Sequence, residues 1–301
     1  ESLPGYLTMF TTYDSTTGTE QAYPLLNIIS MLAWGLGYFG MPHILLRFMA
    51  IEDEEKLTLS RRVATTWVVI SLAVAVLIGV VGLGMTAAGE FDLLEGSASE
   101  TIIVQIADLL SKHGVFAAIL AGLILAGILA STMSTADSQL LAASSAVSSD
   151  LLGSILKDKE TKKESMVADK ITLLLIAVVA MFIARDPNSS VFTIVSFAWA
   201  GFGAVFGPVV LLALFWRRSN WQGALAGMIC GGSMVFIWKY GISTLGGAWG
   251  IYELLPAFLV AIAANIIVSL ITKAPYQRDH RRIRLGKPRN KLFSIIVNNS
   301  H

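Results

Sequence analysis

The sequence predicts an all-α membrane protein with seven transmembrane helices, and three observations predict it. Apolar residues make up 54% of the 301 positions and charged residues only 14%, against roughly 25% charged in soluble domains. The apolar residues arrive in long blocks, with a mean hydropathy of +0.67. Lysine and arginine gather in the breaks between blocks and load alternate breaks very unequally. The net charge of +1 decides nothing, because its distribution matters more than its sum. The single cysteine, Cys230, excludes an internal disulfide framework and reads as a small packing residue within an apolar run. No signal peptide is recognisable. The opening polar stretch, which starts at Glu1 without an initiator methionine, reads as the edge of a piece of something longer.

A bilayer core about 30 Å thick needs roughly 20 apolar residues of helix to cross it. Seven stretches qualify: 24–50, 63–87, 114–149, 167–184, 191–216, 221–243 and 250–272. The first is interrupted by glycines and a proline. The third continues as a small, polar helix beyond membrane depth. Between the second and third spans, 99–112 has apolar residues at helical spacing behind a serine cap, which predicts an interfacial or loop helix rather than a span.

Orientation follows from counting. Of the 22 lysines and arginines, 19 fall on one set of alternate loops and 3 on the other. The positive-inside rule places the basic side in the cytoplasm. The N-terminus is therefore expected outside and the C-terminus inside, which an odd number of spans requires. The tail, with Arg281, Arg282, Arg284, Lys287, Arg289 and Lys291, reads as a topogenic basic segment facing anionic lipid. Nucleic acid is a poor partner for a tail held against a membrane.

Two motifs could carry chemistry. The first runs from Trp34 to His43, WGLGYFGMPH. Three glycines and a proline within ten residues oppose a continuous helix, because proline removes a backbone donor and glycine costs roughly 1 kcal/mol against alanine. In hydrocarbon the freed backbone groups need partners, so such a break survives only where protein or a cavity supplies them. Interrupted midplane helices are how many secondary transporters expose carbonyls to ions and solutes. Trp34 and Tyr38, four residues apart, share a face wherever the helix persists. A kinked packing helix with interfacial aromatics is the alternative, and His43 beside Pro42 fits an interfacial hydrogen-bonding role.

The second motif is STMSTADS at 131–138, continuing through Ser144, Ser145, Ser148 and Ser149. Ser131, Ser134, Thr135 and Ser138 recur at i, i+3, i+4 and i+7, a hydroxyl stripe on one helical face. Neutral hydroxyl and carbonyl oxygens suit weak, reversible binding of a small hard cation. Small-residue stripes also let membrane helices approach closely, so packing stands beside ion binding. Asp137 lies within the stripe. An intramembrane carboxylate is a functional candidate, here for the ion path, while a capping or solvated role suits its position near the cytoplasmic end. Gly201, Gly203 and Gly207 with Pro208 in the fifth span read as a surface for close helix approach. No catalytic constellation, metal cluster or phosphate loop is present, so an enzyme is not predicted.

WGLGYFGMPHILLRFMA at 34–50 closely resembles the signature of the sodium/solute symporter family, in particular its sodium/proline symporters. ILASTMSTADSQLLAASSAVSSDL at 128–151 resembles the family's sodium-site helix. VSFAWAGFGAVFGPVVLLALFW at 195–216 and NWQGALAGMICG at 220–231 are also similar to it. The resemblance runs in order to about residue 275. It implies a leucine-transporter-like fold built on two inverted five-helix repeats. Residues 1–23 would be an extracellular segment and 24–216 the second repeat. Residues 217–272 would be two peripheral helices and 273–301 a basic cytoplasmic tail, the first repeat lying outside this chain.

The resemblance further implies sodium as the co-transported ion, L-proline or a related small solute as cargo, and a multi-pass location in the plasma membrane. Ser131 through its carbonyl, and Ser134 and Thr135 through their hydroxyls, would be sodium ligands, the remainder coming from the missing N-terminal half. Trp34, Tyr38 and Pro42 would line or shape the solute pocket. The chain has Met41 and Ser131 where the proline symporters carry glutamine and alanine. The first could change preference for substrate polarity, and the second is neutral if the carbonyl is the ligand. Two alternatives remain at this level: a seven-helix receptor, whose retinal-binding form would need a lysine absent from 250–272, and a symporter-like sensory input module.

Overall fold

A computed structural model describes residues 8, 10–14, 19–53, 55–148, 162–185 and 190–274. Ser149 and the basic residues from Arg281 to Lys291 lie outside them. The chain divides into two compact units, one comprising 1–21 with 42–196 and the other 22–41 with 197–301. Near the N-terminus Thr11–Asp14 and Thr19–Ala22 pair as a short two-stranded ribbon, an element the polar sequence there did not announce. Among the described residues nine α-helices follow.

The first expected span is two helices, α1 (Leu25–Gly37) and α2 (Pro42–Met49), separated by a break. Proline is tolerated at a helix's first turn, where its missing N–H is not needed, so Pro42 opens α2 rather than breaking it. α3 (Lys56–Ala87) is the second span, and 31 uninterrupted residues form α5 (Val115–Ser145). Counting the π-turn that extends it, the helix runs to Ser148. At about 1.5 Å per residue this is roughly 50 Å, well beyond the ~30 Å hydrocarbon core. The overrun read from the sequence is real.

Between α3 and α5 lies α4 (Ile102–Ser111), preceded by a 3-10 turn over Gly96–Thr101. The expected loop helix is present, but its serine cap is not. Ser99 instead donates its hydroxyl to the carbonyl of Gly96 inside the 3-10 turn, so the α-helix begins later, without a side-chain cap. Gly82 of α3 receives Ile102 of α4, whose Cγ1 would lie 2.5 Å from any added Cβ. α6 (Lys162–Ile183) covers the fourth expected span. The hydroxyl of Ser148 reaches the carboxylate of Asp169, joining the end of α5 to α6.

The second unit contains α1, most of α7 (Val191–Phe215), α8 (Trp221–Ile237) and α9 (Leu254–Ile271). Its core is built from small residues. Gly223, Gly227 and Gly231 line one edge of α8, and Ala257, Ala261, Asn265 and Ser269 repeat at the same four-residue interval on α9. A Cβ on Gly231 would lie 2.6 Å from the Ala204 carbonyl and 2.9 Å from Ala261 Cβ. Without a hydrophobic force between helices in lipid, close backbone approach supplies the attraction. Asn220 caps α8 by accepting from the Gly223 amide at 2.8 Å, and its amide donates to Thr272 Oγ1 at 2.7 Å, tying the start of α8 to the end of α9.

The fifth-span glycines divide. A Cβ on Gly203 would lie 2.8 Å from Gly37 Cα and one on Gly207 would lie 2.6 Å from the Phe258 ring, as close helix approach requires. Gly201 has nothing within 4 Å of an added Cβ and lines an apolar cleft of about 260 Å³ with Phe197, Phe202 and Phe236. The packing role expected of it is therefore not the one it has. Among the described residues five helices are long and apolar enough to cross a membrane, or six if α1 and α2 form one bent span.

Candidate functional site

The break after α1 is the most distinctive piece of backbone in the second unit. Tyr38, Phe39 and Gly40 turn the chain, with Gly40 N–H donating to Gly37 O at 2.9 Å. A helix end inside a membrane must find partners for its last carbonyls. One partner comes from α7: Trp199 Nε1 donates to the carbonyl of Trp34 at 3.0 Å. The indole can reach because Gly37 has no side chain, and an added Cβ would lie 1.9 Å from that nitrogen.

Aromatic rings converge on the same point. Trp34 stacks on Trp199 with centroids 5.6 Å apart and on Tyr252 with centroids 6.0 Å apart. Tyr38 meets Trp199 edge-on at 4.8 Å. The two aromatics singled out in the sequence are thus brought to one tryptophan, and Tyr38 keeps 56% of its surface exposed. Pro42 stands four residues beyond Tyr38 in chain order, opening α2, and Met41 just before it is buried.

Sequence reasoning missed Trp199 and Tyr252. Trp199 had a faint signal, an aromatic beside a small-residue stretch. Tyr252 had none, because only folding brings it to Trp34, more than 200 positions away.

In the first unit, α5 displays the hydroxyl stripe as read. Ser131, Ser134, Thr135 and Ser138 lie on one continuous helix and are all exposed. Thr135 Oγ1 donates to the Ser131 carbonyl at 3.2 Å and Ser138 Oγ to the Ser134 carbonyl at 3.0 Å. Each hydroxyl spends its proton on the preceding turn, so its oxygen lone pairs point outward as acceptors. The Ser131 carbonyl and Thr135 hydroxyl therefore form one oxygen pair on the helix surface. No described helix covers this face, so close packing does not explain the stripe within the described residues. Asp137 is exposed on the same helix. Among the described residues no group of three His, Cys, Asp or Glu side chains could hold a metal ion.

Glu100 makes a second arrangement the sequence did not flag. Its carboxylate accepts from Ser190 Oγ at 2.7 Å, the Val191 amide at 3.0 Å and the Phe192 amide at 3.2 Å. It thereby caps the first turn of α7 from a segment 90 residues earlier, where a helix dipole favours negative charge. The hydrogen bond from Ser190, followed by that from the Phe192 amide, holds this carboxyl below the usual glutamate range.

These features define a multi-pass, all-α membrane protein in which α1 ends at a break beside an aromatic cluster and α5 carries a stripe of hydroxyls. The sequence profile of the sodium:solute symporter family matches residues 7–231. The chain belongs to that family. It is 42% identical over 258 residues to the osmoregulated proline transporter OpuE of Bacillus subtilis, covering 85% of this chain and 50% of the relative. It is 40% identical over 258 residues to the sodium/proline symporter of Escherichia coli, covering 85% and 49% respectively. The sodium/proline symporter of Haemophilus influenzae is also 40% identical over 258 residues, with 84% and 49% covered. The chain thus spans about half the length of the curated relatives it matches. No solved structure matches it significantly.

Proposed function

We propose that this chain is the C-terminal part of a secondary active transporter that couples sodium entry to uptake of proline or a closely related small solute by alternating access. Identity of 40–42% to named proline transporters over 84–85% of the chain carries the reading. Those relatives are transporters, which favours transport over the receptor and sensory-module alternatives. In this reading the helices form the second repeat of a leucine-transporter-like fold over 24–216, followed by two peripheral spans over 217–272. Seven crossings put the N-terminus outside and the C-terminus in the cytoplasm, in line with the 19 to 3 division of basic residues.

Sodium is held by the Ser131 carbonyl and the hydroxyls of Ser134 and Thr135, completed by ligands from the other half of the transporter. The exposed oxygens on α5 support this, since a site shared with a second repeat needs an uncovered face. Trp34, Tyr38 and Pro42 shape the solute pocket around the break between α1 and α2, and Asp137 lies along the ion path.

The test is sodium-dependent proline uptake by the full-length transporter. Ser134→Ala and Thr135→Ala each remove one oxygen from a cation that must exchange water for protein ligands. Each is expected to raise the half-saturating sodium concentration roughly tenfold, about 1.4 kcal/mol of lost ligation. Because ion and solute binding are linked, apparent proline affinity falls at low sodium and recovers at high sodium. Ser138→Ala is the control and should have a smaller effect, whereas Thr135→Ser keeps the oxygen and should stay close to the parent. Equal sodium dependence in the parent and all three alanine variants would overturn the ion-site assignment.

A further inference from the structure

The connection between α8 and α9 is held far more firmly than a surface loop needs. Gly246 and Gly247, at φ of +72° and +58°, turn the chain, and the last three residues before α9 are each fixed by a different group. Trp238 Nε1 donates to the Ile251 carbonyl at 3.0 Å. The Tyr252 amide donates to Ser30 Oγ of α1 at 3.1 Å. Glu253 Oε1 lies 3.3 Å from Lys239 Nζ, an ion pair without hydrogen-bond alignment, with the glutamate side chain 6% exposed and the lysine 35%. Between the pinned Ile251 and Glu253, the Tyr252 ring lies nearly parallel to Trp34, the two planes 16° apart. Withdrawing a carboxylate from water beside one lysine is costly, so a buried pair is weak evidence for stability and better evidence for a fixed geometry. Next to Glu253 in the chain is Tyr252, whose ring meets Trp34.

We infer that this connection is a working part of the solute site: Tyr252 is a positioning residue that sets the ring of Trp34, and the Lys239–Glu253 ion pair holds Tyr252 against it. The inference rests on Trp34 lining the solute pocket, as proposed above. It gives the two peripheral helices a role in recognition, because Lys239 and Glu253 sit at their facing ends. Ser30 supplies a second tether on α1, one turn before Trp34 on the same helix, so the connection grips α1 by backbone and by ring.

The experiment is proline uptake by the full-length transporter, with KM separated from Vmax and Vmax normalised to the amount of protein at the surface. Tyr252→Leu removes the ring and is expected to raise the proline KM about three- to tenfold, the scale of one aromatic pair. Tyr252→Phe keeps the ring and the amide tether and should match the parent. Glu253→Gln removes the buried charge instead of stranding it, folds more readily than a lysine variant, and should raise KM by a smaller factor. Lys239→Met with Glu253→Gln should equal Glu253→Gln alone. Tyr252→Leu should add nothing further to Trp34→Ala, since it acts through that ring.

A raised KM in Trp34→Ala with parental KM in both Tyr252→Leu and Glu253→Gln would overturn this inference and leave the pocket assignment standing. A parental KM in Trp34→Ala with a raised KM in Tyr252→Leu would overturn the assignment of Trp34 and with it action through that ring. Additive effects of the two changes would likewise refute action through Trp34. Loss confined to surface amount or normalised Vmax would make the connection a folding element only.

Discussion

Replacing Trp199 by phenylalanine isolates the hydrogen bond that stabilises the break after α1. The indole donates to the Trp34 carbonyl at 3.0 Å and its ring contacts both Trp34 and Tyr38, at centroid distances of 5.6 and 4.8 Å. Phenylalanine retains a ring but has no donor, so the Trp34 carbonyl loses the hydrogen bond from the indole. The net contribution of such a hydrogen bond is about 0.5–1.5 kcal/mol. Trp199→Leu also forfeits two aromatic pairs of about 0.5–1.5 kcal/mol each, for a total of roughly 1.5–4.5 kcal/mol. Gly37→Ala places its Cβ 1.9 Å from Nε1, which expels the indole and should resemble the leucine variant. The assay is thermal unfolding of the detergent-solubilised full-length transporter, paired with equilibrium proline binding in saturating sodium. The expected order of stability is parent, then Trp199→Phe, then Trp199→Leu with Gly37→Ala, with shifts of a few degrees per step. Trp199→Phe equal to the parent would refute the role of the hydrogen bond. Trp199→Phe as damaging as Trp199→Leu would show that indole shape, not its donor, secures the break.

Two further outcomes rest on packing and on charge. Gly231→Ala should destabilise the packing of α8 against α7 and α9 by about 1–3 kcal/mol, the usual cost of overpacking, because its Cβ would lie 2.6 Å from the Ala204 carbonyl on α7 and 2.9 Å from Ala261 Cβ on α9. Gly201→Ala, with open space around it, should be neutral in the same unfolding measurement, and equal effects at the two positions would contradict the packing account. Glu100→Gln should raise hydrogen exchange at the Val191 and Phe192 amides that the carboxylate accepts from. The Glu100 carboxyl is held below its usual range. The protection it confers is therefore complete above the ordinary glutamate value and lost as pH falls through the lower folded value. Protection that is unchanged in the variant, or unchanged on acidification, would remove Glu100 as the cap of α7.

Composition and order along the chain determined a good deal by themselves. Because hydrocarbon satisfies no backbone group, spans must be helices of a certain length, and this made α3, α5, α7, α8 and α9 legible within a few residues. The glycines and proline from Gly35 to Pro42 announced the break between α1 and α2 because backbone propensity is local. The hydroxyl stripe was legible for a similar reason, since α5 is one uninterrupted helix and spacing alone puts Ser131, Ser134, Thr135 and Ser138 on one face. The tertiary structure alone decided what meets those faces. Ser99 resembled a cap until the 3-10 turn claimed its hydroxyl. Gly201 resembled its neighbours Gly203 and Gly207, and only the placement of α1 and α9 separated it from them. Trp199 carries only a faint mark and Tyr252 and Glu100 none, because their partners lie 165, 218 and 90 or more positions away. Periodicity reports which way a side chain points from its own helix. The identity of the group it points at is set by how helices pack, where backbones close to van der Waals contact decide which distant residues can touch.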